Sequence, residues 1–179
     1  MLWRRFLRYC VVDKYNHGAL RPARRPRYLP AMTIRIGVVG CGSFARSFIP
    51  LFQAHPLVDG VVLCDVDANR LCVASEKYGL PETSPSLDAL CTDSSIDAVA
   101  LFTQNWLHAP QAITALKAGK HVYSAVPTGI TRREISDLVA AVKDTGLVYM
   151  LGETSYYYPA VLYCRQRFGA GDFGRAVYG

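Results

Sequence analysis

Gly40-Cys-Gly-Ser-Phe-Ala45 follows the apolar run Ile34–Val39 without a gap, and an acid, Asp65, closes the next apolar run twenty residues after Ala45. This is the spacing of a loop that cradles a dinucleotide. Gly40 permits a tight turn, Gly42 lets the backbone approach a pyrophosphate, and the small Ala45 lets the following helix pack on the strand. The turn itself holds Ser43 and Phe44, and the helix start beyond it offers amide N–H groups and partial positive charge to phosphate. A carboxylate at Asp65 accepts the hydroxyls of an adenosine ribose and repels a 2′-phosphate, which favours NAD over NADP. Taken singly, the loop reads equally well as a Gly-rich turn and Asp65 as a solvated acid. Strand, loop, helix and acid in this order turn the reading to dinucleotide binding.

These residues need elements to hold them, and the chain supplies alternating strand and helix patterns. The runs Ile34–Val39, Val61–Cys64, Ala98–Phe102, His121–Ala125 and Leu147–Leu151 are too short for helices and apolar enough for strands buried on both faces. A helix is expected after each. Phe44, Phe48 and Phe52 mark the first, which Pro50 should kink. Leu71, Ala74 and Tyr78 mark the second, between an N-cap at Asp67 and Gly79. The third has Pro110 near its start and Gly119 at its end. In the fourth, Thr131 and Glu134 form a capping box, and Ile135, Leu138, Val139 and Val142 form an apolar stripe ahead of Gly146. A further helix is expected from Tyr158 to Phe168, followed by a strand start at Arg175. The fold class expected is α/β, a Rossmann-type doubly wound parallel sheet with helices on both faces. The domains read as an extension at 1–31, a dinucleotide-binding domain at 32–152, and at 153–179 a linker helix with the truncated start of a second α/β domain.

The stretches IRIGVVGCGSFARSFIP, LCDVDANRL and LFTQNWLHAPQAITALKAGKHVYSAVP resemble the N-terminal domain of the Gfo/Idh/MocA oxidoreductases, over residues 33–179. The resemblance implies an NAD(P)-dependent enzyme that moves hydride between nicotinamide and a hydroxyl of a sugar, polyol or inositol. In its full-length form such an enzyme is expected to be a homo-oligomer. By the same resemblance Thr103, Asn105 and His108 lie where the chain passes the pyrophosphate and nicotinamide ribose, with Gln104 standing where proline is commoner. For His108 the alternative is helix-start capping or a buried ring with a satisfied partner. Ser124-Ala-Val-Pro127 departs from the family pattern Glu-Lys-Pro. Pro127 remains beside the cofactor, but Val126 occupies the lysine position and carries no proton. Tyr156 and Tyr157 are substrate candidates, since tyrosine offers a hydroxyl and a ring face to a sugar; a domain-interface cluster is their plainer reading. The alternatives to a dehydrogenase are an NAD-dependent glycosidase with transient redox and a catalytically inactive dinucleotide-binding protein.

Composition excludes other classes. The 179 residues are 51% hydrophobic and 19% charged, which rules out disorder and fibrous architectures. Of the net charge of +6, residues 1–31 hold eight Lys and Arg against Asp13 alone, so the remainder is close to neutral. A nucleic-acid partner is therefore not expected. The same extension lacks the uninterrupted apolar segment of an export signal, and Met32 is the preferred start. No apolar run is long enough for a membrane span. The six cysteines have no CxxC pair and no His at metal-ligand spacing, so no metal is expected. They read as reduced thiols packed in the core of a cytoplasmic protein.

Overall fold

The structure, a computed structural model, describes residues 33–155, 158–175 and 177. It divides the chain after Gly152, and each part is described by itself. In the larger part, β1 (Ile34–Val39), β2 (Val58–Cys64), β3 (Thr83–Ser84), β4 (Ala98–Leu101), β5 (His121–Ala125) and β6 (Tyr149–Gly152) form one sheet in the order β3-β2-β1-β4-β5-β6. All five pairings are parallel. Chain order reverses between β1 and β4, so the crevice at their carboxyl ends is the place where this architecture binds ligands.

The helices are α1 (Ile49–Ala54), α2 (Ala68–Tyr78), α3 (Leu87–Thr92), α4 (His108–Lys117) and α5 (Arg132–Thr145). β3 and α3 lie in a stretch that the apolar pattern left blank, since two residues show no period. The first helix is also not the continuous one expected. A 3₁₀ turn at Ala45–Ser47 ends at Phe48, and α1 restarts with Pro50 as its second residue. Proline has no N–H to return to the preceding turn, and an early helix position is where that loss costs least. Phe48, Phe52, Phe102 and Tyr123 still meet as a ring cluster, with Phe48 and Phe102 centroids 4.7 Å apart.

Sequence signals for the helix ends hold in detail. The Asp67 side chain accepts from the amides of Asn69 and Arg70, and Gly79 takes the left-handed conformation at the end of α2. On α5 the Thr131 hydroxyl accepts from Glu134 N while Glu134 Oε2 accepts from the amides of Ile130 and Thr131. Those two donors hold the Glu134 carboxyl below its ordinary pKa. The apolar stripe of α5 is turned from the one expected: Leu138 and Ala141 are buried, while Ile135 and Val139 stand 42% and 47% exposed. Ala141, too small to mark a stripe in the sequence, is the residue that meets the core.

Three described cysteines, Cys41, Cys64 and Cys91, are buried and reduced. Cys72 on α2 and Cys164 in the later helix Pro159–Gly169 are exposed, against the expectation of six core thiols. Cys10 lies outside the described residues.

Two histidines brace the chain with acceptors. His55 Nδ1 accepts from Leu57 N at 3.2 Å, and His121 Nδ1 accepts from Val148 N at 3.1 Å. Burial lowers both pKa values below the ordinary 6.5, and at His121 the Asp97 charge only partly opposes this. The unfolded chain therefore takes up these protons first as pH falls. Stability should be full above pH 6.5 and decline below it, as urea midpoints at pH 7.5 and 5.5 will show; His121→Asn, which keeps an acceptor that does not titrate, should flatten part of the slope.

In the second part, α6 (Pro159–Gly169) begins one residue later than expected and ends in turns at Gly171 and Gly174. Arg167 pairs with Asp172 at 2.7 Å across that turn. The strand start expected at Arg175 falls largely on residues outside those described. Among the described residues no helix is long and apolar enough to cross a membrane, and no group of His, Cys, Asp and Glu is arranged to hold a metal.

Candidate functional site

At the carboxyl ends of β1, β2 and β4 lies a cavity of about 280 Å³. Gly40, Gly42, Ser43, Phe44, Asp65 and Thr103 all line it, so six of the residues singled out in the sequence converge on one space.

Gly40 has φ +91°, and a Cβ there would stand 2.8 Å from the Phe102 carbonyl oxygen. Only glycine gives the turn its shape while β4 passes this close. Gly42 is different. A Cβ at Gly42 would meet nothing within 4 Å, so protein packing does not require glycine at this position. Open space in front of a loop glycine that lines a cavity fits a group that must come close to backbone, as a pyrophosphate does. Ala45 is fully buried beneath the loop, which is the close helix-to-strand contact its size allows.

Asp65 is 6% exposed. Its Oδ2 accepts from Cys41 N at 2.8 Å, and its Oδ1 accepts from Asp67 N at 2.9 Å. Arg70, half exposed on α2, sits 3.7 Å from Asp65 and 3.6 Å from Asp67 and also lines the cavity. Cys41 is buried against the same carboxylate, and burial followed by the Asp65 charge pushes its thiol up to about 11. Burial likewise pushes Cys64, at the end of β2, up to about 12. Both thiols are protonated and unreactive at neutral pH.

On the β4 side, Thr103 Oγ1 donates to Gln111 Oε1 at 2.6 Å, and Gln104, Leu107 and Gln111 complete the wall. Asn105 is exposed in a 3₁₀ turn, Asn105–Leu107, and is not among the lining residues. His108 is 1% exposed and does not reach the cavity either. Its Nδ1 lies 2.8 Å from the Pro127 carbonyl oxygen and its Nε2 3.0 Å from that of Thr103. Carbonyls only accept and a neutral imidazole carries one N–H, so the ring donates to one of the two and lies between the loop after β4 and the loop after β5 rather than facing a ligand. Of the alternatives for His108, the buried ring matches its 1% exposure.

Val126 is 41% exposed at the end of β5, and the Val126–Pro127 peptide is cis. Neither Ala125 nor Val126 carries an ionisable group. Tyr156 and Tyr157 lie outside the described residues. Arg70 and Gln111 were not read from the sequence as site residues, although each had a signal: Arg70 stands one turn into a helix capped beside Asp65, and Gln111 stands one turn after His108.

Comparison with known proteins agrees with this geometry. A family model described as an oxidoreductase family with an NAD-binding Rossmann fold matches residues 34–153. The chain is 29% identical over 142 residues to 4-carboxy-2-hydroxymuconate-6-semialdehyde dehydrogenase from Sphingobium, covering 78% of this chain and 44% of that one. Over 145 residues it is 27% identical to mouse trans-1,2-dihydrobenzene-1,2-diol dehydrogenase, covering 80% of this chain and 44% of that protein. A crystal structure of scyllo-inositol dehydrogenase from Lactobacillus casei, with bound NAD(H) and scyllo-inositol, superposes with a TM-score of 0.70 at 25% identity, over 79% of this chain and 42% of the other. The chain thus spans less than half the length of these relatives. With the matched model spanning β1 to β6 and the glycine loop, Asp65 and Thr103 around one cavity, the chain belongs to the Gfo/Idh/MocA family of oxidoreductases and carries its NAD-binding Rossmann domain.

Proposed function

We propose that this chain is the cofactor-binding part of a dehydrogenase that passes hydride between nicotinamide and a CH–OH carbon of a sugar, polyol or inositol-like substrate. The observation that carries the reading is the convergence of Gly40, Gly42, Ser43 and Asp65 on a cavity at the β1/β4 switch point. Two of the relatives named above are by their names dehydrogenases of a cyclic diol and of an inositol, which supports this substrate class, while the third is named for a semialdehyde. When bound, the nicotinamide ring supplies the hydride acceptor.

The chain's own residues bind and orient. Backbone amides of the loop beyond Cys41, from Gly42 to Phe44, receive the pyrophosphate, since those of Gly40 and Cys41 already donate to the Cys64 carbonyl and to Asp65. Asp65 accepts from the adenosine ribose, and Thr103, held by Gln111, stands toward the nicotinamide ribose, with Asn105, exposed two residues on and outside the lining, a further candidate. His108 fixes the loops that carry Thr103 and Pro127. Ala125 and Val126 move no proton, so the group that takes the hydroxyl proton does not come from the end of β5. Tyr156 and Tyr157 are the substrate-side candidates. The full-length protein is proposed to be a homo-oligomer.

NAD is preferred over NADP in this reading, since at the end of β2 the one guanidinium, Arg70, is already faced by two carboxylates, Asp65 and Asp67. Calorimetric titration of the 179-residue chain should give a dissociation constant for NAD⁺ at least about tenfold below that for NADP⁺, a difference of about 1.4 kcal/mol. Equal or tighter NADP⁺ binding would overturn the preference. With NAD⁺ and a panel of polyols, the same chain should show no substrate-dependent NADH absorbance.

A further inference from the structure

We infer that Asp65 holds the glycine loop in its phosphate-accepting shape through the Cys41 amide, acting as a positioning residue for the pyrophosphate in addition to any contact with ribose. The inference rests on the cofactor reading above and deepens it. Both carboxylate oxygens already serve the backbone: Oδ2 accepts from Cys41 N inside the loop and Oδ1 from Asp67 N at the start of α2. One buried side chain therefore fastens the phosphate loop to the end of β2 and to the helix that follows.

Neighbouring contacts act in the same sense. Gly40 N donates to the Cys64 carbonyl at 2.8 Å, and the Cys41 thiol points at that same carbonyl at 3.7 Å. Beyond Cys41 a Cβ at Gly42 would meet nothing within 4 Å and Ser43 is exposed, until Phe44 packs its half-exposed ring on Phe48 and Phe102. Between Gly40 and Phe44 the Cys41 amide is thus the loop's one described tie to a side chain, and that side chain is Asp65. A charged acceptor makes a stronger bond to an N–H than a neutral one does.

The two roles predict opposite signs for one measurement. If Asp65 served only ribose, Asp65→Asn would leave binding of inorganic pyrophosphate unchanged or improve it, because a negative charge near a polyanion is removed. If Asp65 shapes the loop, the same change weakens pyrophosphate. Asparagine has one acceptor oxygen for two amides and turns an NH₂ toward the other.

The test compares the full wild-type chain with Asp65→Asn by titration with inorganic pyrophosphate, by hydrogen exchange at the Cys41 amide, and by mapping iodoacetamide adducts. Expected are pyrophosphate affinity at least about threefold weaker, Cys41 amide exchange about tenfold faster or more, and new alkylation of Cys41 while Cys64 and Cys91 stay protected. Unchanged or tighter pyrophosphate binding with unchanged Cys41 exchange would overturn the inference. Should the variant unfold, seen as alkylation of Cys64 and Cys91 too, exchange in the wild-type chain decides. A Cys41 amide far slower than those of Gly42 and Ser43 supports the brace, and one equally fast overturns it. A wild-type chain that binds neither NAD⁺ nor pyrophosphate, yet protects the Cys41 amide, would contradict the cofactor reading and leave the brace standing.

Discussion

Gly40→Ala should abolish NAD binding and cost the fold about 3 kcal/mol. Two penalties combine. The left-handed φ of +91° is strained for any L side chain by roughly 1–2 kcal/mol. The added methyl would also lie 2.8 Å from the Phe102 oxygen, 2.9 Å from its carbonyl carbon and 3.2 Å from Thr103 N, all backbone atoms. Those atoms cannot yield, because Phe102 N donates to the Val39 carbonyl at 2.8 Å and so fixes the end of β4 to β1. Gly42→Ala provides the contrast. Its methyl meets no protein atom within 4 Å, so the melting temperature should hold while NADH affinity falls by about tenfold or more. Thermal melts and NADH fluorescence titrations on both variants separate the two glycines. Equal stability losses would show that Gly42 serves packing rather than a ligand.

Lys120→Met should destabilise the chain by about 2 kcal/mol, read as a lowered urea midpoint. Lys120 is 6% exposed, and its Nζ donates to the Asp93 carbonyl at 2.6 Å and to the Ile96 carbonyl at 2.8 Å. The ammonium closes the turn between α3 and β4 from below and ties it to the start of β5. Methionine keeps the aliphatic stem and removes the donor. The Asp93 carbonyl retains its bond from Ile96 N, so the larger loss is at Ile96, whose buried oxygen gives up a charged donor. A loss under about 0.5 kcal/mol would show that the ammonium's own desolvation offsets its bonds.

Lys120 also shows where sequence reading stops. Nothing in Gly119-Lys-His marks this cation as buried, and the carbonyls of the Asp93–Ile96 turn are what receive it. Local signals were readable wherever one residue determines its own surroundings. Asp67, the Thr131 and Glu134 box, Gly79 and the β1 loop were of this kind, since caps and turns act over a few residues. Burial that depends on a distant neighbour was not. Ile135 and Val139 belong to the expected stripe and are exposed, while Ala141, outside that stripe, is buried. Resemblance assigns His108 to the cofactor site, whereas its ring is buried outside the cavity lining. Its two carbonyl partners, Thr103 and Pro127, come together only when β4 and β5 pair. Arg70 and Gln111 escaped for a related reason, because their roles depend on how α2 and α4 sit over the sheet ends.

The central claim is that a dinucleotide binds where the glycine loop, Asp65 and Thr103 meet. A backbone-amide NMR titration of the 179-residue chain with NAD⁺ tests it most directly. The account predicts saturable shifts centred on Gly40, Cys41, Gly42, Ser43, Asp65 and Thr103, with little change on the outer face of α5. Shifts confined to other surfaces, or none at millimolar NAD⁺ in a folded chain, would contradict it.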